Sequence, residues 1–174
     1  MNSMNITIRP LTLADKNLFY AWWNDLEIRA LTAQVTEILT NKEIDEMIAE
    51  NLVDQNNAEF IIEVDCKPIG HIRIKENNRK RYFMIDTAIG EKDYWGKGIG
   101  TIALNLAVEW FTKNHPDEEA LELEVNTDNP RAIRCYEKVG FCKIAKKHYN
   151  GFKDTYLMRL MINHSPLRKC TFKV

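Results

Sequence analysis

The stretch that most constrains this chain is Gly96-Lys97-Gly98-Ile99-Gly100, set between an apolar run ending at Ile89 and an amphipathic run from Ile102 to Trp110. Alternating glycines let the backbone take positive φ and approach a ligand closely. The amides that open the following helix lack intrahelical acceptors and carry partial positive charge. The pattern predicts strand, tight turn, helix, with an anion site of pyrophosphate type at the turn. A tight strand-to-helix turn with no ligand is the alternative reading. The P-loop is excluded, because Thr101 follows Gly100 and no lysine precedes it. The dinucleotide fingerprint is excluded by spacing, since it needs G-x-x-G after its first pair.

The rest of the chain organises around this point. Ile6 and Ile8 alternate with Thr7 and Arg9 up to Pro10, a first strand. Leu18, Phe19, Trp22, Trp23 and Leu26 recur at helical spacing and predict one helix. Thr40 and Glu43 form a capping box for a second helix from Asn41, whose apolar face is Ile44, Met47, Ile48 and Leu52. Residues 59–65, 69–75 and 82–89 predict an antiparallel meander, turning at Cys66-Lys67-Pro68 and at Asn77-Asn78. After the glycine loop, Ile102, Ala103, Leu106, Ala107 and Trp110 predict the buried stripe of a helix. Leu121, Leu123 and Val125 form a fifth strand, and a helix runs from Pro130 to Val139 with Gly140 as its stop. Asn150-Gly151 predicts a tight hairpin between strands 141–149 and 152–161. The fold class is therefore mixed α/β, with about seven mostly antiparallel strands and about four helices. We expect one domain over residues 1–163 and a frayed tail over 164–174.

With 174 residues and a net charge of −1, the chain can bury a core and carries no global field for nucleic acid or anionic lipid. Arg79-Lys80-Arg81 reads as a solvated turn rather than a nucleic-acid stripe. No apolar run approaches the roughly 20 residues of a membrane span. Cys66, Cys135, Cys142 and Cys170 form no CxxC pair and read as free thiols of a cytoplasmic protein. His71, His115, His148 and His164 show no ligand spacing, so no metal is expected.

Two segments carry a resemblance. Residues 89–101, Ile-Gly-Glu-Lys-Asp-Tyr-Trp-Gly-Lys-Gly-Ile-Gly-Thr, resemble the acetyl-CoA loop of the GCN5-related N-acetyltransferase (GNAT) superfamily, whose pattern is Arg/Gln-x-x-Gly-x-Gly/Ala. Trp95 stands where Arg or Gln is usual. Residues 129–141, from Asn129 to Phe141, are similar to that superfamily's Asn-x-x-Ala-x-x-x-Tyr-x-x-x-Gly-Phe element. The resemblance implies the GNAT fold and acetyl-CoA as cosubstrate. It implies cofactor contacts at Ile89, Trp95, Gly96, Lys97, Gly98, Ile99, Gly100, Thr101, Asn126, Asn129, Arg131 and Tyr136. The pyrophosphate is assigned to the amides of Gly98, Gly100 and Thr101, and thioester polarisation to a main-chain N–H near Ile89.

Tyr136 lies where the family places its general acid. A phenol of ordinary pKa about 10 suits a thiolate near 8.5; a core aromatic is the other reading. Asn129 contacts the pantetheine arm, caps its helix, or does both. Asp86 breaks an apolar strand and is the first candidate to hold and deprotonate the amine, against an outward-facing surface Asp; Glu124 is second.

In wording the chain is similar to the aminoglycoside 6′-N-acetyltransferase branch, which carries an Asp at the position of Asp86. Trp22-Trp23-Asn24-Asp25 is shared with that branch and equally with ribosomal-protein N-terminal and spermidine acetyltransferases. It places Trp22 and Asp25 at the substrate, or marks a packed helix end. Asn126 stands where the aminoglycoside branch often has an Asp, and Asp128 does not share the spacing. The implied partner is a small-molecule amine, with no nucleic acid or membrane, for a monomer or homodimer. The competing class is an acetyl-CoA-binding sensor without catalysis, which would need neither Tyr136 nor Asp86.

Overall fold

The computed structural model describes residues 4–32, 38–77 and 82–162. Its strands are β1 (Ile6–Pro10), β2 (Asn57–Val64), β3 (Lys67–Asn77), β4 (Tyr82–Ile89), β5 (Ala120–Asn126), β6 (Cys142–Lys147) and β7 (Thr155–Met161). Its helices are α1 (Lys16–Asn24), α2 (Leu26–Thr32), α3 (Asn41–Val53), α4 (Ile99–Asn114) and α5 (Pro130–Val139). One seven-stranded sheet runs in the order β1-β2-β3-β4-β5-β7-β6. Every neighbouring pair is antiparallel except β4 and β5.

That parallel pair positions the site. β4 and β5 are in register only at Phe83 with Leu121 and Met84 with Glu122, near their starts. Beyond those positions the strands part, and a gap opens toward their carboxyl ends. The glycine turn leaves β4 there and α4 begins. Open α/β sheets bind ligands at such carboxyl-end crevices.

Period-two alternation in the strands divides the apolar residues between two cores. On one face, Ile62, Ile72, Ile74, Ile85, Leu121 and Leu123 pack with Ala103, Leu104 and Phe111 of α4 and Ile133 of α5. On the other, Ile61 packs with Phe19 of α1 and with Ile44 and Ile48 of α3. The Thr40 capping box forms: its side chain accepts from the Glu43 amide.

Several expectations need correction. The single helix over residues 18–26 is two helices, because extended Asp25 (ψ 121) breaks it; this brings the α-helices among the described residues to five. Asp25 then caps α2, accepting from the amides of Glu27 and Ile28 at 3.0 Å. Leu26 is consequently exposed, as is Leu52 of α3. The buried stripe of α4 is Ile99, Ala103, Leu104, Ala107 and Phe111. Ile102 lies exposed, since α4 turns the residues beside it into the sheet. Asn150-Gly151 does not make a tight hairpin: β6 and β7 pair out to Lys147 and Thr155, and residues 148–154 form a longer connection. Asp65 and Cys66, both at positive φ (50° and 65°), make the β2–β3 turn ahead of Lys67. Asn78, Arg79, Lys80, Arg81, His164, Cys170 and the 164–174 tail lie outside the described residues. Among the described residues, no helix is long and apolar enough to cross a membrane.

Candidate functional site

The loop after β4 folds as its glycines dictate. Gly98 caps α4 at φ 79°, in the left-handed region that an L side chain rarely occupies. Its carbonyl accepts from the Thr101 amide at 3.1 Å. The amides of Gly98, Ile99 and Gly100 therefore remain without an intrahelical acceptor at the positive end of α4. Thr101, assigned to the pyrophosphate through its amide, uses that amide within the turn. Its hydroxyl lies 3.3 Å from Cys135 Sγ on α5, so the Thr101 side chain helps fasten the two helices.

A cleft of about 300 Å³ opens beside this turn. Ile89, Trp95, Gly96, Gly98, Ile99, Gly100 and Thr101 line one side, and Asn129, Arg131, Cys135 and Tyr136 the other. Arg131, Arg134 and Lys138 recur at helical spacing along α5 and all border it, a cationic edge facing the glycine turn. Open amides, left-handed backbone and three nearby cations suit a diphosphate carried on an elongated group. Lys97 is outside this lining; its ammonium stands 5.5 Å from the centre of the Tyr94 ring. Trp95, the departure from the family pattern, donates its indole N–H to the Ile89 carbonyl at 2.8 Å. Its ring carries the Arg131 guanidinium at 3.9 Å. The tryptophan thus ties the end of β4 to α5 across the mouth of the cleft.

A second cleft, about 410 Å³, lies on the opposite face of the sheet. Trp22, Trp23, His71, Arg73, Asp86, Glu124 and Asn126 are among its lining. Tyr136, Thr87, Ala88, Asn129 and Ala132 line both clefts, so the two meet in the β4–β5 gap with Tyr136 at the junction. Tyr136 is 7% exposed, and it also packs edge-on against Phe141. Its ring is part of the core, and the residue borders both clefts. Burial, the Asp86 charge and Cys135 push its phenol well above the ordinary value. It keeps its proton at neutral pH, as an unshifted phenol does, and the rise makes it a weaker acid.

The acid and base candidates differ in what holds them. Asp86 sits directly opposite Arg73 in the β3–β4 register, and the two form an ion pair of 2.8 Å. Its side chain is 49% exposed, into the second cleft. Glu124 faces the same cleft but is occupied by Lys147, by the Tyr149 hydroxyl at 2.9 Å and by the Thr155 hydroxyl at 3.3 Å. Burial works to raise its pKa, but those hydrogen bonds and the Lys147 charge more than offset it and leave the carboxyl below its ordinary value. Glu124 is thus held by three partners and Asp86 by Arg73.

Other expected residues also have structural partners. Asp25 lines neither cleft; it caps α2 and pairs with Lys92 at 2.8 Å, which holds its carboxyl below the usual range. Asn126 and Asn129 direct their side-chain amides to the Leu31 carbonyl at 3.1 and 3.4 Å, fastening the end of α2 across the gap. Asn129 also caps α5 by accepting from the Ala132 amide at 3.1 Å. Trp22 is buried, donates to Glu91 at 3.1 Å, and packs against Gly90. A Cβ on Gly90 would meet the Trp22 ring at 2.3 Å, so only glycine fits there.

Arg73, Trp23 and Arg29 were missed from sequence although all line the second cleft. The available signal was phase: His71 and Arg73 alternate with Ile72 and Ile74, so they share the face opposite the α4 core. His71 is indeed satisfied, 3.0 Å from Glu59 and 3.4 Å from the Trp23 indole nitrogen. Among the described residues no group of His, Cys, Asp and Glu is arranged to hold a metal ion.

Known proteins resemble this chain in sequence and fold. Residues 5–142 match the family model described as an acetyltransferase (GNAT) domain. An aminoglycoside N(6′)-acetyltransferase type 1 from Klebsiella pneumoniae is 26% identical over 157 residues, covering 79% of this chain and 74% of the relative. A spermidine N(1)-acetyltransferase from Escherichia coli is 32% identical over 103 residues, 57% of this chain and 53% of the relative. A solved structure of AAC(6′)-Ib in complex with ribostamycin and coenzyme A superposes with a TM-score of 0.79 at 22% identity, over 90% of this chain and 93% of that one.

Proposed function

The chain belongs to the GNAT family of acetyl-CoA-dependent N-acetyltransferases, and from that premise we propose that it acetylates a primary amine of a small molecule by direct attack where its two clefts meet. The observation that carries this is Tyr136, buried, protonated and shared by both clefts. Acetyl-CoA supplies the acetyl group as a thioester. The amides of Gly98, Ile99 and Gly100 and the Arg131, Arg134 and Lys138 edge hold the diphosphate end. Asp86 holds the incoming ammonium and takes its proton, directly or through water. The amine nitrogen bonds to the acetyl carbon as the carbon–sulfur bond breaks. Tyr136 gives its proton to the departing sulfur. A binding-only sensor needs no protonated phenol at such a junction.

Aminoglycoside 6′-amines and spermidine are the acceptors that the relatives' names bring to this chain. Asp86 favours a cation, yet both lining carboxylates, Asp86 and Glu124, already have a basic partner. We therefore assign the acceptor no more finely than a small primary amine. The test is thiol release from acetyl-CoA against kanamycin, spermidine, and peptides with free N-termini. Turnover of a 6′-amino aminoglycoside but not of its 6′-hydroxyl analogue would assign the aminoglycoside. Thiol release that no amine stimulates would remove the transferase reading.

A further inference from the structure

The acceptor cleft carries a charge pattern that narrows the amine further. Its floor is the sheet face opposite α4 and α5. Across that face each described carboxylate is already matched. Glu59 accepts from Asn51 at 2.7 Å and lies 3.0 Å from His71. Asp86 pairs with Arg73. Glu124 is held by Lys147, and Glu122, farther along β5, by Arg159. A polycation entering here finds no surplus negative charge. It must break existing pairs, and each broken pair strands a cation in a partly desolvated cleft.

The Arg73–Asp86 pair is itself incomplete. Asp86 engages through Oδ2 alone, to Arg73 Nη2. Arg73 Nε is buried and has no hydrogen-bond partner. A guanidinium presents a fork of donors suited to two oxygens of one anion; with Nε enclosed, the donors left for a ligand are on the two Nη nitrogens. The pair lies directly across β3 and β4, beside Thr87 and Ala88, which lead to Tyr136.

We infer that the acceptor is zwitterionic: a primary amine bearing a carboxylate or phosphate a few bonds away, its ammonium on Asp86 and its anion on the Arg73 fork. This deepens the acetyl-transfer reading and rests on it. Such a molecule converts one ion pair into two and leaves the cleft's charge balance unchanged. Opposed cross-strand residues have Cβ atoms about 5 Å apart, so the substrate's two charges are close together. The arrangement delivers the amine to Asp86 next to the junction and its anion to the Nη donors of Arg73, whose side chain is 30% exposed.

The experiment measures kcat/KM by thiol release for matched pairs: γ-aminobutyrate with its amide, and O-phosphoethanolamine with ethanolamine, alongside spermidine and kanamycin. Wild type should favour the anionic member of a pair by about tenfold or more. The favoured pair distinguishes carboxylate from phosphate. Arg73→Met should bring that ratio to about one and improve the polycations, whose cation site on Asp86 it uncovers; Arg73→Lys should restore part of the ratio. Calorimetric binding of the favoured anion-bearing amine should weaken in parallel. Neutral members or polycations turned over as well as the anionic ones, or a ratio unmoved by Arg73→Met, would overturn the zwitterion while leaving acetyl transfer standing. No turnover of any amine, with acetyl-CoA still bound, would overturn both.

Discussion

The two clefts that meet at Tyr136 are made of different material. The one after β4 is built from main chain: left-handed Gly98, open amides, and the positive end of α4. The one across the sheet is built from side chains set by strand phase: His71 and Arg73 on β3, Asp86 on β4, Glu124 on β5. Main-chain sites survive wide changes of side chain, and so they mark a family; with Trp95 at an Arg/Gln position, Gly98 still caps α4 in the left-handed region. Side-chain sites change their chemistry with one substitution, and so they set the acceptor. The junction belongs to both.

Tyr136→Phe attacks the junction and should have the largest effect. If the phenol is the proton donor, kcat falls by roughly 10²- to 10⁴-fold, while acetyl-CoA affinity by calorimetry stays within a few-fold. Unchanged turnover would make Tyr136 a core aromatic and nothing more. The pH profile supplies a second check. Burial and Asp86 raise this phenol above its ordinary value, so its loss of a proton, and any alkaline decline it causes, falls above pH of about 10. An alkaline limb below that value, abolished in Tyr136→Phe, would contradict the assignment.

Gly98→Val tests the main-chain cleft alone. A Cβ there meets no atom within 4 Å, so crowding is not the obstacle. The obstacle is φ 79° for a β-branched residue, with a cost on the order of 1–3 kcal/mol. The valine must relax the loop and displace the open amides, weakening acetyl-CoA by roughly 10- to 100-fold. Full affinity in this variant would mean that the glycine turn is not the diphosphate site.

The same contrast explains what was legible in the sequence. The glycine loop and the Asn129–Gly140 element were readable because cap chemistry is local: Asn129, Pro130 and Gly140 bound α5 where expected. The acceptor cleft was not. Asp86 stood out as a polar residue in an apolar strand, but its Arg73 partner depends on hairpin register, which a turn at Asn77-Asn78 leaves undetermined by a residue. The helix break at Asp25 was hidden for a related reason. The apolar period runs through residues 18–26 without interruption, and nothing local shows that α1 ends at Asn24 and that Asp25 starts another helix.

Asp25→Ala turns that correction into a measurement. As a cap of α2, Asp25 contributes about 1 kcal/mol to stability. Its carboxylate also pairs with Lys92, where it is partly exposed and so adds little. Thermal unfolding should show a modestly lower Tm, with KM for the acceptor nearly unchanged. A selective rise in acceptor KM at constant Tm would return Asp25 to the acceptor cleft.

The smallest expected effect concerns Trp95, where the two building materials touch. Its indole N–H holds the end of β4 and its face holds Arg131 on α5. Trp95→Leu removes a cation–π contact of about 0.5–1 kcal/mol at a half-buried site and one hydrogen bond to the Ile89 carbonyl. Arg131 then samples more rotamers at the mouth of the cleft, so acetyl-CoA affinity should fall about two- to tenfold. Adding Arg131→Ala to Trp95→Leu should cost less than the two single losses combined, because each variant already breaks the shared contact. Strict additivity in that double-mutant cycle would show that the stack has no part in binding and that the main-chain cleft works without it.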